Sequence, residues 1–259
     1  MNYRIIFFGN WAPGNVKTTY RESLFLPWPH DLAMRARTLW TNLQQEDERL
    51  YNGSLYSLKR ASVAGGKLNI NLSKTNYRDQ IFANKNIKFW SAEQQVRYAP
   101  RALGVSALVE TSDGTLLFML RSRKVHEYPR HIDVFGGHVD WKESHVNPPD
   151  PFEAITSELT GELGIRSENI QSQTCIGLLK NIQIFKPELV FRINLNIDSN
   201  AVIALARSAS EKFEYDEILS VAATPDELQQ FQQKKAKELT PAANGSIELF
   251  LNFFARQAP

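Results

Sequence analysis

Cysteine is almost missing from this sequence, with Cys175 the single example in 259 residues. A lone thiol excludes a disulfide within the chain and suits a reducing compartment, so a cytoplasmic location is the expectation. Long apolar runs are missing too. The first eight residues hold only the four-residue stretch Ile5-Ile6-Phe7-Phe8, too short for the apolar core of a signal peptide or for a membrane span, and no membrane partner is expected. No charge of one sign is in excess, since 30 Lys plus Arg face 28 Asp plus Glu. That balance argues against nucleic-acid binding driven by bulk charge and leaves room for a small basic patch that takes phosphates. His126, His131 and His138 share no ligand spacing, which removes a zinc site. Internal repeats and low-complexity tracts are absent. What the chain does have is 42% hydrophobic residues, ordinary for a globule with a real core, and length enough for one large domain or one domain with an extension.

The pattern along the chain is mixed α and β. Tyr3 to Phe8 reads as a strand, and Gly9 to Pro29, rich in Trp, Pro and Gly, reads as an irregular loop. Asp31 is placed to cap a helix with apolar positions Leu32, Ala36, Leu39, Leu43 and Leu50. Leu55 to Val63 and Leu68 to Leu72 alternate around Ala64-Gly65-Gly66, a hairpin signal. A boundary is expected near Ala99-Pro100-Arg101, dividing residues 1–100 from residues 101–259. Beyond it, Leu103 to Glu110 and Thr115 to Arg121 flank Ser112-Asp113-Gly114 as a second hairpin. Further strands are expected at Thr174 to Leu179, Leu189 to Asn196 and Glu217 to Ala223, with helices over Ser199 to Arg207 and from Pro225 and Pro241.

Three segments carry groups that can do chemistry. Lys74-Thr75-Asn76-Tyr77-Arg78-Asp79 reads as a loop offering an aromatic face at Tyr77 and a guanidinium at Arg78. These could stack on a base or hold a phosphate; the plainer reading is a surface turn with an Arg–Asp pair. The densest basic segment, Arg121-Ser122-Arg123-Lys124 with His126, Arg130 and His131 following, leads into Gly136-Gly137. Cations there could neutralise a diphosphate, or the segment is a solvated loop. The third is a helix from Pro151 to Leu163. Asp150 suits the N-cap, Glu153 completes a capping-box spacing, and Phe152, Ile155, Leu159 and Leu163 form an apolar stripe that stops at Gly164. Glu158 and Glu162, four apart, share one face of it, as solvated acids or as a site for a hard cation such as Mg²⁺. Between turn and helix, Ser144 to Pro149 with Asn147-Pro148-Pro149 is expected to be an exposed loop.

With these residues in place, the stretch Gly136 to Ile165 resembles the Nudix box, whose pattern is Gly, five residues, Glu, seven residues, then Arg-Glu-U-x-Glu-Glu-x-Gly-U, U being a bulky aliphatic. Gly137, Glu143, Glu158, Leu159, Glu162, Gly164 and Ile165 match it. Thirteen residues rather than seven follow Glu143, Ser157 stands in the Arg slot, and Gly161 stands where the pattern has the first Glu of its pair. Thr75 to Asp79, Leu103-Gly104-Val105, Arg121 to Arg123, Val134 to His138 and Ala243 to Ile247 are similar to the branch of the family that splits UDP-glucose and UDP-galactose.

The resemblance implies an α+β fold, a Nudix α/β/α sandwich with a mixed sheet, and an N-terminal α+β extension contributing to substrate binding. It implies a phosphoanhydride hydrolase dependent on Mg²⁺, with Mn²⁺ as an alternative, acting on a small-molecule nucleotide sugar. Metal ligands carried over are the Gly136 carbonyl, Glu158 and Glu162; substrate contacts are Tyr77, Arg78, Arg121, Arg123 and His138. Gly161 cannot act as a general base, so Glu188 and Glu217, acids at strand ends, are the candidates beside Glu158 and Glu162. Glu143 supports the loop or binds a second, water-bridged metal. Two alternatives stand beside this reading: another substrate such as ADP-ribose, or a domain that binds a nucleotide without hydrolysing it.

Overall fold

The computed structural model describes residues 2–140 and 150–256. Its elements run β1 (Tyr3–Trp11), β2 (Val16–Tyr20), α1 (His30–Glu46), β3 (Ser54–Ala64), β4 (Lys67–Asn76), α2 (Tyr77–Asn86), α3 (Ala92–Tyr98), β5 (Gly104–Glu110) and β6 (Thr115–Arg121). They continue with β7 (Ile132–Asp133), β8 (Phe135–His138), α4 (Pro151–Leu163), β9 (Ile170–Asn181), β10 (Lys186–Leu195), α5 (Ser199–Ala206), β11 (Tyr215–Ala222), α6 (Pro225–Lys235) and α7 (Pro241–Ala255).

The large sheet runs β1-β9-β10-β5-β6-β11, with β8 on β5 and β7 on β6. The pair β10–β5 is parallel and its neighbours are antiparallel, so the sheet is mixed, as expected. Period-two alternation explains why it must be covered on both faces. On β5, Val105, Ala107 and Val109 enter one core and Leu108 the other; on β6, Leu117 and Met119 oppose Leu116 and Phe118. The first core is closed by Phe152, Ile155, Leu159 and Leu163 of α4, and the second by Ile247, Leu249, Phe250 and Phe253 of α7 with Leu228 of α6. The result is the α/β/α arrangement of the sequence expectation.

The first hundred residues add a three-stranded sheet, β2-β4-β3, and a helical layer in which Leu32 and Ala36 of α1 meet Phe82, Ala83 and Ile87. The division expected near residue 100 is bridged at several points. Strand β1 pairs with β9 inside the large sheet, and Tyr56, Leu68, Ile70 and Leu72 join the core that α4 covers. Backbone bonds stitch β3 to the segments beyond it: Tyr56 N–H to the Val139 carbonyl (3.1 Å) and Leu103 N–H to the Tyr56 carbonyl (2.8 Å).

Some local readings change. Gly9 to Pro29 is not wholly irregular, because β1 runs on to Trp11 and β2 follows, held by parallel pairing to β4. Residues 74–79 are not a loop but the end of β4 and the start of α2, where the Asn76 side chain accepts the Asp79 N–H at 3.0 Å. Helix α1 ends before Leu50, and its stripe includes Trp40.

Candidate active site

Helix α4 begins as its sequence dictates: the Asp150 side chain accepts the Phe152 N–H at 3.0 Å and Pro151 occupies the first turn. The bond goes to the second helical residue, not to Glu153, so the anticipated capping box is replaced by a simple cap. Gly164 ends the helix at φ 70°, a left-handed conformation that favours glycine. With Phe152, Ile155, Leu159 and Leu163 buried in the core, the 3.6-residue period turns Glu158 and Glu162 toward β8.

There the two acids meet the diglycine. Glu162, 1% exposed, accepts the Gly136 N–H on Oε2 at 2.8 Å. A Cβ added to Gly137 would stand 2.5 Å from Glu158 Oε2, and one added to Gly136 would overlap the Val105 carbonyl, at a φ of 137°. Glycine at both positions is therefore what lets β8 lie between β5 and the carboxylates. The Glu158–Glu162 pair and the Gly136-Gly137 turn, expected together from sequence, are together in space.

This corner lines a cavity of about 390 Å³. One wall is acidic. Glu211 and Glu214, at either end of a turn just before β11, line it with Asp140 and Glu158. Burial pushes the Glu158 carboxyl up to about 8, with Glu211, Glu214 and Asp140 adding repulsion. Burial, then Glu158 and Glu214, hold Glu162 well above the carboxylate range, and burial also raises Glu211 and Glu214. Glu162 Oε1 is buried with no hydrogen-bond partner among the described residues. An orphaned carboxylate oxygen in a group of crowded hard-oxygen donors fits a divalent cation, whose charge would relieve both the repulsion and the missing bond. Among the described residues no three such side chains already stand in ligating geometry, so the donors are gathered but not closed.

The opposite wall is cationic and internally paired. Lys186 Nζ lies 2.9 Å from Glu127 Oε2 and 3.7 Å from Glu188 Oε1. Arg121 donates from Nε to the Glu127 carbonyl at 3.0 Å and lies 3.5 Å from Asp133. Burial works against ionised Glu127, but Lys186, His138 and Arg121 hold its carboxyl down to about 2. Burial pushes His138 down to about 3, helped by Lys186, so the ring is neutral; its Nε2 has no partner among the described residues. Tyr77 packs edge-on to His138, with ring centroids 5.8 Å apart.

Of the residues expected at the site, Gly136, Tyr77, Arg121, His138, Glu158 and Glu188 line the cavity, and Glu162 is bonded to its floor at Gly136. Glu188 is buried beside Lys186 rather than free. The structure does not bring Arg78, Arg123 or Glu217 there. Arg78 pairs with Asp79 at 2.9 Å, while Arg123 and Glu217 are exposed and outside the lining. Glu143 and the Ser144 to Pro149 detour lie outside the described residues. Sequence reading missed Glu127, Lys186, Glu211 and Glu214, together with the exposed aromatics Tyr51 (70%) and Phe213 (54%) at the cavity. Only the acidic spacing of Glu211-Lys212-Phe213-Glu214 could have drawn attention to its segment.

No family model matches the sequence. Among curated proteins, the chain is 25% identical over 224 residues to Nudix hydrolase 9 of Arabidopsis thaliana, covering 73% of this chain and 71% of that one. It is 23% identical over 240 residues to the mouse uridine diphosphate glucose pyrophosphatase NUDT22, covering 82% and 77%. Among solved structures, the NUDIX domain of Shewanella oneidensis NrtR complexed with ADP ribose is 12% identical and covers 67% of this chain and 97% of its own, with a TM-score of 0.40, too low to carry an argument.

Proposed function

Because this chain belongs to the Nudix hydrolase superfamily, we propose that it hydrolyses a phosphoanhydride, and that its substrate is a UDP-hexose cleaved to UMP and hexose 1-phosphate. The observation that carries the reading is the pair Glu158 and Glu162 turned onto Gly136-Gly137, with one Glu162 oxygen unsatisfied among the described residues. The UDP-sugar assignment is further supported by the similarity to a relative named for that activity.

Bound at Glu158, Glu162 and the Gly136 carbonyl, Mg²⁺ (or Mn²⁺) would neutralise phosphate oxygens and ease the formation of hydroxide from water. The chain's own groups do the rest. Arg121 and Lys186, kept charged by their buried partners, place positive charge across the cavity from the acids, where a diphosphate's oxygens are anionic. Neutral His138 presents a ring nitrogen for a hydrogen bond to the substrate without adding charge. Tyr51, Tyr77 and Phe213 offer aromatic faces for a base. In the reaction a water oxygen bonds to phosphorus, the bridging P–O bond breaks to release the hexose 1-phosphate, and the water's proton passes to a cavity carboxylate outside the cation's ligands, Glu188 being the strand-end acid that lines the cavity.

The test is turnover of a panel of nucleoside diphosphate derivatives with Mg²⁺, with products separated by ion-exchange chromatography. UMP and hexose 1-phosphate are expected. Cleavage of ADP-ribose with no UDP-sugar turned over would overturn the substrate assignment, and calorimetric binding of UDP-glucose with no product formed would overturn the enzymatic one.

A further inference from the structure

We propose that Glu211 is the third carboxylate of the cation site, lying in space that Gly161 leaves open on α4; the inference rests on the function proposed above. Gly161 follows Glu158 by three positions and precedes Glu162 by one, so helical spacing sets it beside Glu158 on the cavity side. A Cβ built on Gly161 would overlap the carboxylate of Glu211. The two features therefore exclude each other: a side chain at 161 or the carboxylate from 211, not both in their present positions.

The backbone fixes the approach. The Glu211 N–H donates to the Gly161 carbonyl at 2.9 Å, and Ser210 Oγ donates to the same oxygen at 3.5 Å. On the far side, the Glu214 N–H donates to the Glu211 carbonyl at 2.9 Å, closing the turn that carries both acids. A segment fifty positions along the chain is thus latched to the one residue of the helix that lacks a side chain. Among the described residues neither a hydrogen bond nor a cation acts on the Glu211 carboxylate. Glu214 and Asp140 repel it, and it in turn repels Glu158. A surface glutamate in that position would turn to solvent; this one is pressed against a helix glycine, facing like charge.

A second observation points to what it faces. Glu162 is almost wholly buried, and its Oε1 has no partner among the described residues. Glu158 links the two, since it is repelled by Glu211 and itself repels Glu162; a buried oxygen that finds no donor among the described residues, in such a row of acids, is stabilised by a cation. Hard cations of this kind take several carboxylate oxygens, and Glu158 and Glu162 alone leave most of that shell to water.

The experiment uses the full chain, stripped with chelator, with Mn²⁺ as the probe. Mn²⁺ affinity is read by electron paramagnetic resonance of the free ion and by calorimetry. Glu211→Gln keeps shape and removes charge; it is expected to weaken Mn²⁺ binding about tenfold or more while the metal-free protein melts no lower than wild type. The swap Gly161→Glu with Glu211→Gly returns a carboxylate from the helix itself and is expected to recover most of the loss. Wild-type Mn²⁺ affinity in a folded Glu211→Gln protein would overturn the assignment. A wild-type protein that binds Mn²⁺ yet cleaves no nucleotide would remove the proposed activity and leave this inference standing, so the two failures are distinguishable.

Discussion

Replacing Glu158 by glutamine should make the metal-free protein more stable, and increasingly so as pH rises. The folded-state carboxyl of Glu158 sits at about 8 against an ordinary 4.5, first through burial and then through Glu211, Glu214 and Asp140. Since the folded value lies above the unfolded one, the folded protein keeps a proton between those limits that the unfolded chain has lost. Stability therefore falls with rising pH across that window, by about 1.4 kcal/mol per unit. At pH 7 the accumulated loss is about 3 kcal/mol, and above pH 8 it levels off at about 5 kcal/mol, an upper figure because water reaching the cavity relaxes the charge. Glutamine has no proton to lose. The assay is thermal unfolding of both proteins in chelator from pH 5 to pH 9. Little difference is expected at pH 5, and a Tm higher in Glu158→Gln by several degrees is expected at pH 8. Added Mg²⁺ should stabilise wild type more than the variant, narrowing the gap. A gap that stays constant with pH, or that favours wild type at pH 8 without metal, would refute the electrostatic account of this corner.

Glu162→Gln should abolish turnover and leave a folded protein, since the amide can still accept the Gly136 N–H; wild-type rates, measured as phosphate ester release from UDP-glucose, would remove Glu162 from the metal site. Lys186→Ala should cost about 3–5 kcal/mol, because it leaves Glu127 and Glu188 buried without their cation, and an unchanged urea midpoint would show the network to be dispensable. Tyr51→Ala and Phe213→Ala should raise KM for a UDP-sugar about tenfold with kcat and Tm nearly kept, as expected for base stacking; an unchanged KM would place the base elsewhere.

Much of this molecule was legible without coordinates, wherever the cause is local. The cap at Asp150, the stop at Gly164 and the stripe from Phe152 to Leu163 are consequences of neighbouring residues, and with them comes the shared face of Glu158 and Glu162. The β3–β4 hairpin follows equally from Ala64-Gly65-Gly66. Strand β2 was hidden because its cause is not local: Val16 to Tyr20 becomes a strand by parallel pairing with β4, some fifty residues away. The same reason separated the useful candidates from the others. Arg121 is the last residue of β6 and is held by the sheet, whereas Arg123 lies past its end, where strand periodicity no longer sets the direction of a side chain, and nothing in the composition of the segment says where the strand stops.

The chain's own order of residues thus determined the helix, its two acids and the glycines that leave room for them, because capping, periodicity and backbone freedom act over a few positions. Only the folded arrangement decided which distant groups would share the cavity. Lys186 against Glu127, and Glu211 against Gly161, are set by how β10 and the turn before β11 pack around α4 and β8. Charges so far apart in sequence acquire their proton affinities from burial and proximity, and both exist only once the chain has closed on itself.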